Sequence, residues 1–287
     1  MRRPWLVAGF AALCVTAGVP AHAWASTSGV PAPRAVTPAA PAVVDMEATV
    51  LAAQIDPRRA DHTLTPGAQD SVLAVEQALE ALDLLDPQWV DGYFGTQTVA
   101  AYAAYQSSLG YSGLAANGLP GPTSLTKLGL NRYTVINKIS PGAQVQRDGY
   151  IVDARTQAML TAAEHLLGYT LTLDQGSYNP GGDPSSAGTH DGGGVVDISV
   201  TGMTAAQRTA VARALRQVGF AAWVRNPSQG DWPWHIHAAA INDTDLSSQA
   251  QHQIGDYYLG MNGLADRGPD DGPQVPIQTW EQYQRGQ

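Results

Sequence analysis

The sequence predicts an α+β fold: a small three-helix domain followed by an α+β domain built on a small antiparallel sheet. Between residues 67 and 130 apolar side chains recur at three- and four-residue steps, the spacing of one helix face. Beyond residue 146 such helical stripes alternate with short runs of period two, the signature of strands with one buried face. Ahead of these regions, and between them, lie stretches rich in Pro, Ala and polar residues without a sustained period.

Arg2 and Arg3 precede an apolar run from Trp5 to about Val19, followed by the small-x-small patterns Ala21-His22-Ala23 and Ala23-Trp24-Ala25. This is the form of a secretory signal peptide over residues 1–25, so the mature protein is expected to be secreted, extracellular or wall-associated. No later stretch is apolar enough for a membrane span. The lone cysteine, Cys14, falls within the leader, and Leu13 before it is too large for a lipoprotein cleavage site. No disulfide or cysteine nucleophile is therefore expected. The formal charge of −9, with Lys127 and Lys138 the only lysines, makes nucleic acid a poor partner. A monomer is favoured.

Residues 26–66 read as an Ala/Pro-rich tether, with a short helix around Val44 to Gln54 possible but unmarked by function. Over residues 67–130, Val72, Val75, Leu79 and Leu82 share one helical face, and Val99, Tyr102 and Tyr105 a second. The turn Asp91-Gly-Tyr-Phe-Gly95 leads to Thr96 and Thr98, and a similar turn at Asn117-Gly118-Leu-Pro-Gly121 leads to Thr123 and a short helix with Leu125 and Leu128. This repeated scheme, with Gln77, Leu79 and Tyr105-Gln106, resembles the three-helix peptidoglycan-binding domain attached to many wall hydrolases. The resemblance implies peptidoglycan as partner and wall contacts near Asp91, Tyr93 and Tyr105.

Residues 131–145 read as a second linker, 146–265 as the second domain and 266–287 as a C-terminal tail. A helix is expected over Asp153 to Leu167 and a strand over Tyr169 to Leu173. In Val195-Val-Asp-Ile-Ser-Val200, residues Val196, Ile198 and Val200 face one way and Asp197 the other. Thr204 and Gln207 form a capping box for a helix with Val211, Ala214, Leu215 and Val218 on one stripe. Strands are expected at Ala221 to Val224 and Trp234 to Ala239. Alternation puts His235 and His237 on one face, about 7 Å apart at their roots, with Trp234 and Ile236 on the other, so that Trp234 is expected in the core. An imidazole pair facing an Asp on a neighbouring strand is what a three-ligand zinc site with an open fourth position requires.

Ser186-x-x-Thr189-His190-x6-Asp197 followed by Trp234-His235-Ile-His237 resembles the zinc D-Ala-D-Ala peptidases and their hedgehog and lysostaphin relatives. The resemblance implies one zinc ion held by His190, Asp197 and His237. Many members carry a Glu three residues before the last His; here Trp234 stands in that place. His235 is then the candidate proton acceptor, with Asp231 as the alternative, and Gln175 occupies roughly the place of an Arg that steadies the scissile carbonyl. Tyr178, Ser186 and Trp232 are the candidate substrate-binding side chains.

Ser124-Leu-Thr-Lys127 fits the Ser-x-x-Lys of penicillin-binding enzymes, but it lies in the helical region and no Lys-Thr-Gly follows. The Gly- and Asp-rich stretch 260–273 reads as a plain surface segment rather than a calcium loop, and His62, His165 and His252 as solvent-facing. The expected function is a secreted zinc metallopeptidase cutting peptide bonds of peptidoglycan, of D,D-carboxypeptidase or endopeptidase type. The alternative is a non-catalytic wall-binding protein with a degenerate metal site.

Overall fold

Strand β1 (Ala42–Asp45) runs directly into helix α1 (Met46–Ile55), whose first turn is capped by the Asp45 carboxylate accepting from the Ala48 amide at 3.2 Å. These are the first elements of the computed structural model, which describes residues 42–286; the leader expected over residues 1–25 and the first part of the tether lie outside the described residues. Helices α2 (Gln69–Glu80), α3 (Thr96–Ser108) and α4 (Pro122–Leu128) follow where the apolar stripes placed them. Leu82 is the exception, since it falls beyond the end of α2 and is exposed. Strand β2 (Tyr133–Ile136) then pairs in parallel with β1, from Ala42 opposite Tyr133 to Asp45 opposite Ile136.

That pairing corrects the reading of residues 42–66 and 131–145 as linkers. Each contributes a strand whose only partner is the other, and four residues are too few to show a period in sequence. Helix α1 is likewise no tether: Met46, Val50, Ala52 and Ile55 are buried.

The hairpin of β3 (Gln144–Arg147) and β4 (Tyr150–Asp153) leads into α5 (Ala154–Leu167), capped by Asp153 accepting from the Thr156 amide at 2.7 Å. Then come β5 (Leu173–Gln175), β6 (Val195–Ser199), α6 (Ala205–Gln217) with its Thr204/Gln207 capping box, β7 (Phe220–Arg225) and β8 (His235–Ala240). Strand β5 begins where the expected strand at Tyr169 was to end. The four strands form one antiparallel sheet in the order β5-β6-β8-β7. Helices α7 (Ser248–Tyr258) and α8 (Trp280–Arg285) complete the chain. The α+β class with small antiparallel sheets is thus observed.

The two faces of the sheet differ. Val196, Ile198, Phe220, Ala222, Ile236, Ala238 and Ala240 meet Leu160, Val211 and Leu215 of α5 and α6 in one dry core. On the other face Val195, Ala221 and Ala239 form an apolar row beneath Ile254 and Tyr257 of α7, in a second core that continues into α1 and the helical region. Residues 42–286 form one compact unit. Polar ties reinforce it: Arg58 holds Asp256 through two hydrogen bonds at 3.0 and 2.9 Å, Gln54 accepts from the Asn242 amide, and Asn117 donates to the Leu246 carbonyl at 2.8 Å.

The expected C-terminal tail is also corrected. Buried Arg216 grips Asp270 at 2.8 and 2.7 Å, Trp223 Nε1 donates to the same carboxylate, and Arg155 pairs with Glu281 of α8. An ion pair between residues 54 positions apart leaves no local pattern to read. Among the described residues no helix is long and apolar enough to cross a membrane.

Two predictions follow from this packing. Met46→Ala removes a fully buried side chain and is expected to lower stability by about 2–5 kcal/mol, within a single urea transition for the whole of residues 42–286. Glu76, fully buried, accepts from the Asp91 and Gly92 amides and from Thr98, yet burial lifts its carboxyl from 4.5 to about 7. A carboxyl raised by folding stabilises the fold below its unfolded value and loses that contribution as pH rises through its folded value. The protein is therefore expected to lose roughly 3 kcal/mol between about pH 4.5 and 7 relative to Glu76→Gln, measured by denaturation of both across that range.

Candidate metal centre

The site forms on the more polar end of the second sheet face. Asp197 on β6 stands directly opposite His237 on β8, which stands opposite Trp223 on β7; one step further along, Ser199, His235 and Arg225 form the next row. His190 arrives from outside the sheet, on the loop before β6. The glycines of that loop are required by space: a Cβ on Gly192 would lie 2.2 Å from the Asp245 carbonyl, and Gly194 has φ +73° with the Asp243 side chain against it. Three successive glycines let this loop thread along the 243–247 segment and turn His190 inward.

The imidazoles are oriented from behind. His190 Nδ1 lies 2.8 Å from the Gly176 carbonyl and His235 Nδ1 2.8 Å from the Pro233 carbonyl. Because a carbonyl only accepts, each Nδ1 carries the proton and each Nε2 is bare. His237 is turned the other way: its Nε2 lies 2.8 Å from Gln253 Oε1, while the Gln253 amide nitrogen donates to the Gly263 carbonyl, leaving His237 Nδ1 bare. All three bare nitrogens face one oxygen. Asp197 Oδ1 is 2.9 Å from His237 Nδ1, 3.4 Å from His190 Nε2 and 3.8 Å from His235 Nε2.

Where an imidazole nitrogen carries a proton it donates to Asp197; where it is bare, the contact requires a cation between the two. Burial alone would raise the Asp197 carboxyl, but hydrogen bonds and charge from His190 and His237 hold it well below the usual carboxylate range. Burial works against a charge on His190, which its bond to Asp197 nonetheless raises; His237 is lowered by burial. Ligand atoms of His190, Asp197 and His237 lie within 4.8 Å of one another, the one such cluster of three among the described residues. Two imidazoles, each backed by a second partner, and a carboxylate are a donor set that fits zinc.

A cleft of about 340 Å3 opens over these residues. Gln175, Ser186, Trp232 and His235 line it. A β-bulge brings Gln175 there: Leu173 pairs with Ile198 but Gln175 with Asp197, so the extra residue re-aims Gln175 onto the polar face. Ser186 Oγ donates to Gln175 Oε1 at 3.1 Å, and the Trp232 ring stands edge-on to His235.

Other sequence expectations are not met. Asp231 is exposed and does not line the cleft, because the turn before Trp232 carries it outward. Tyr178 donates to Asp245 at 2.9 Å and lines a separate cavity between the loops carrying Gly192 and Asp245 and the helical region. Trp234 is 46% exposed beneath the Arg208 guanidinium, not in the core, because it precedes the paired part of β8. Tyr105 is buried in the helical core with its hydroxyl directed at the Ser124 carbonyl, so it offers no wall contact, whereas Asp91 and Tyr93 line a depression of about 240 Å3 with Trp89 and His62. His62, His165 and His252 are exposed, as expected.

Sequence reasoning passed over two residues of this site, Gln253 and Arg225. Arg225 alternates with Trp223 along β7, a signal that a four-residue reading of that strand ended one position too early to use.

His237→Ala is expected to abolish stoichiometric zinc binding, and Gln253→Ala, which removes only the support behind His237, to weaken it by about 10–100-fold. Metal titration of dialysed protein followed by calorimetry checks both.

Compared with protein-family models, with curated proteins and with solved structures, the chain matches none.

Proposed function

We propose that the protein is a secreted, zinc-dependent peptidase acting on the peptide part of bacterial peptidoglycan. The observation that carries this reading is the convergence of three imidazole nitrogens on Asp197 Oδ1 at the floor of an open cleft. His190, Asp197 and His237 would hold the ion. Zinc bound there supplies an acidified water and polarises a carbonyl. The leader pattern and the turn scheme of the helical region support secretion and the wall as the place of action.

The remaining work falls to the chain's own side chains. His235 Nε2, bare and outside the nearest ligand set, takes up a proton and returns it to the departing amine, while its Nδ1 proton stays fixed on the Pro233 carbonyl. Gln175, held by Ser186, keeps its amide nitrogen free of any protein acceptor and directs it at a substrate oxygen. Trp232 walls the cleft beside His235.

His235→Gln is expected to retain zinc while losing about 10²–10⁴-fold in kcat, the worth of a positioned acid–base group. Mass spectrometry of purified muropeptides incubated with the protein and with this variant checks it. Unchanged muropeptides with the zinc-loaded protein would instead favour a non-catalytic wall-binding role.

A further inference from the structure

A cavity of about 400 Å3, larger than the cleft over the candidate metal site, lies between the second turn of the helical region and the loops carrying Gly192 and Asp245. It shares no lining residue with that cleft. Tyr111, Leu114, Ala115 and Leu119 give it an apolar flank on the helical side, while Tyr178, Thr244 and Asp245 make the facing wall polar. None of its lining residues is Lys, Arg or His, and Asp245 is the one carboxylate among them.

The polar wall is held in place from behind. The Asp245 carbonyl accepts from the Gly193 amide at 2.8 Å, and its own amide donates to the Asp243 carboxylate at 2.9 Å. Tyr178 keeps a left-handed backbone, φ +55°, that a residue with a side chain adopts at a cost, and its amide donates to the Gly192 carbonyl at 2.8 Å. That conformation brings its hydroxyl to the Asp245 carboxylate at 2.9 Å. A Cβ on Gly193 would come within 2.5 Å of the same hydroxyl and 2.9 Å of the Asp245 Cβ, so only glycine leaves room for the phenol and the carboxylate to meet.

The charge of this wall is uncompensated. Asp245 is exposed, and no cationic side chain pairs with it among the described residues. Partial desolvation and the nearby Asp153 carboxylate raise its carboxyl, and both effects favour a positive charge brought beside it. Thr244, next along the same wall, has a hydroxyl oxygen without a partner.

We propose that this cavity is a binding site for a primary ammonium carried on a short aliphatic chain, with the ammonium on the Asp245 carboxylate and the chain along Tyr111 and Leu114. The site stands apart from the metal ligands and from the peptidase reading. An ammonium brings three donors and no acceptor to a wall that offers a carboxylate and a free hydroxyl oxygen. An anionic ligand would meet Asp245 with no cation to offset it, and a wholly apolar one would strip water from that carboxylate without replacing its hydrogen bonds. The volume lies in the range of small-molecule sites.

The deciding experiment titrates the full-length protein by calorimetry at neutral pH with N-α-acetyl-lysine amide and with N-α-acetyl-norleucine amide, which keeps the aliphatic chain and lacks the ammonium. The lysine derivative is expected to bind about 5–10-fold tighter, as one partly desolvated ion pair allows. Equal affinities, or no binding of either, overturn the proposal. Asp245→Asn is expected to erase the difference between the two derivatives while zinc binding stays as in the parent, and a preference for lysine retained in that folded variant places the ammonium elsewhere and refutes the assignment. Leu114→Ala changes a side chain 40% exposed and leaves the fold intact; it is expected to weaken both derivatives alike by about threefold, because they share the aliphatic chain. Unchanged affinities in Leu114→Ala count against this cavity. If Asp245→Asn does not fold, the lysine–norleucine comparison in the parent and in Leu114→Ala still decides.

Discussion

The register between β6 and β8 is the constraint on which the site depends. With Asp197 opposite His237, a carboxylate and an imidazole share one row of the sheet face, and the period of two carries His235 to the next row on the same side. A slip of one residue would turn Asp197 toward α5 and α6 and bring Ile198 out in its place. Burial opposes that slip. Val196, Ile198, Ile236 and Ala238 are fully buried on the helix-covered side, and the same alternation that hides them presents the candidate metal ligands.

The ligand face grades from dry to polar along the strands. The row of Val195, Ala239 and Ala221 lies under α7 within a core shared with α1 and the helical region; the next row carries Asp197, His237 and Trp223; the last carries Ser199, His235 and Arg225. Helix α7 serves both ends of this gradient, since Ile254 and Tyr257 pack in the core while Gln253 fixes His237. The helical region and the candidate metal site therefore share structure: Asn117 in its second turn binds the 246 carbonyl, and the neighbouring 243–247 segment is what the Gly192–Gly194 loop presses against behind His190.

Much of this was legible in the sequence where local periods were long or spacing was chemical. The helices with clean stripes appear within a few residues of their expected ends, and His190, Asp197 and His237 come together with His235 on the next row of the sheet. What stayed hidden depends on contacts between distant residues. Strands β1 and β2 exist because each pairs with the other, Arg216 finds Asp270 across a turn-rich segment, and Gln253 gains its role only because α7 packs over β8. Trp234 and Tyr105 show the opposite failure. A period of two assigned Trp234 to a core that the strand had not yet entered, and a family likeness put a buried tyrosine on a binding surface.

The parallel pair β1–β2 also bears on how the chain assembles. Its contacts join residues 91 positions apart, from Ala42 to Tyr133, so every hydrogen bond between them closes a long loop. Closure entropy grows slowly with loop length but must be met before such distant contacts return anything, whereas the helix turns enclosed by that loop form from neighbours. The two strands thus act as a clasp: their pairing joins the two ends of the segment that holds α1 to α4.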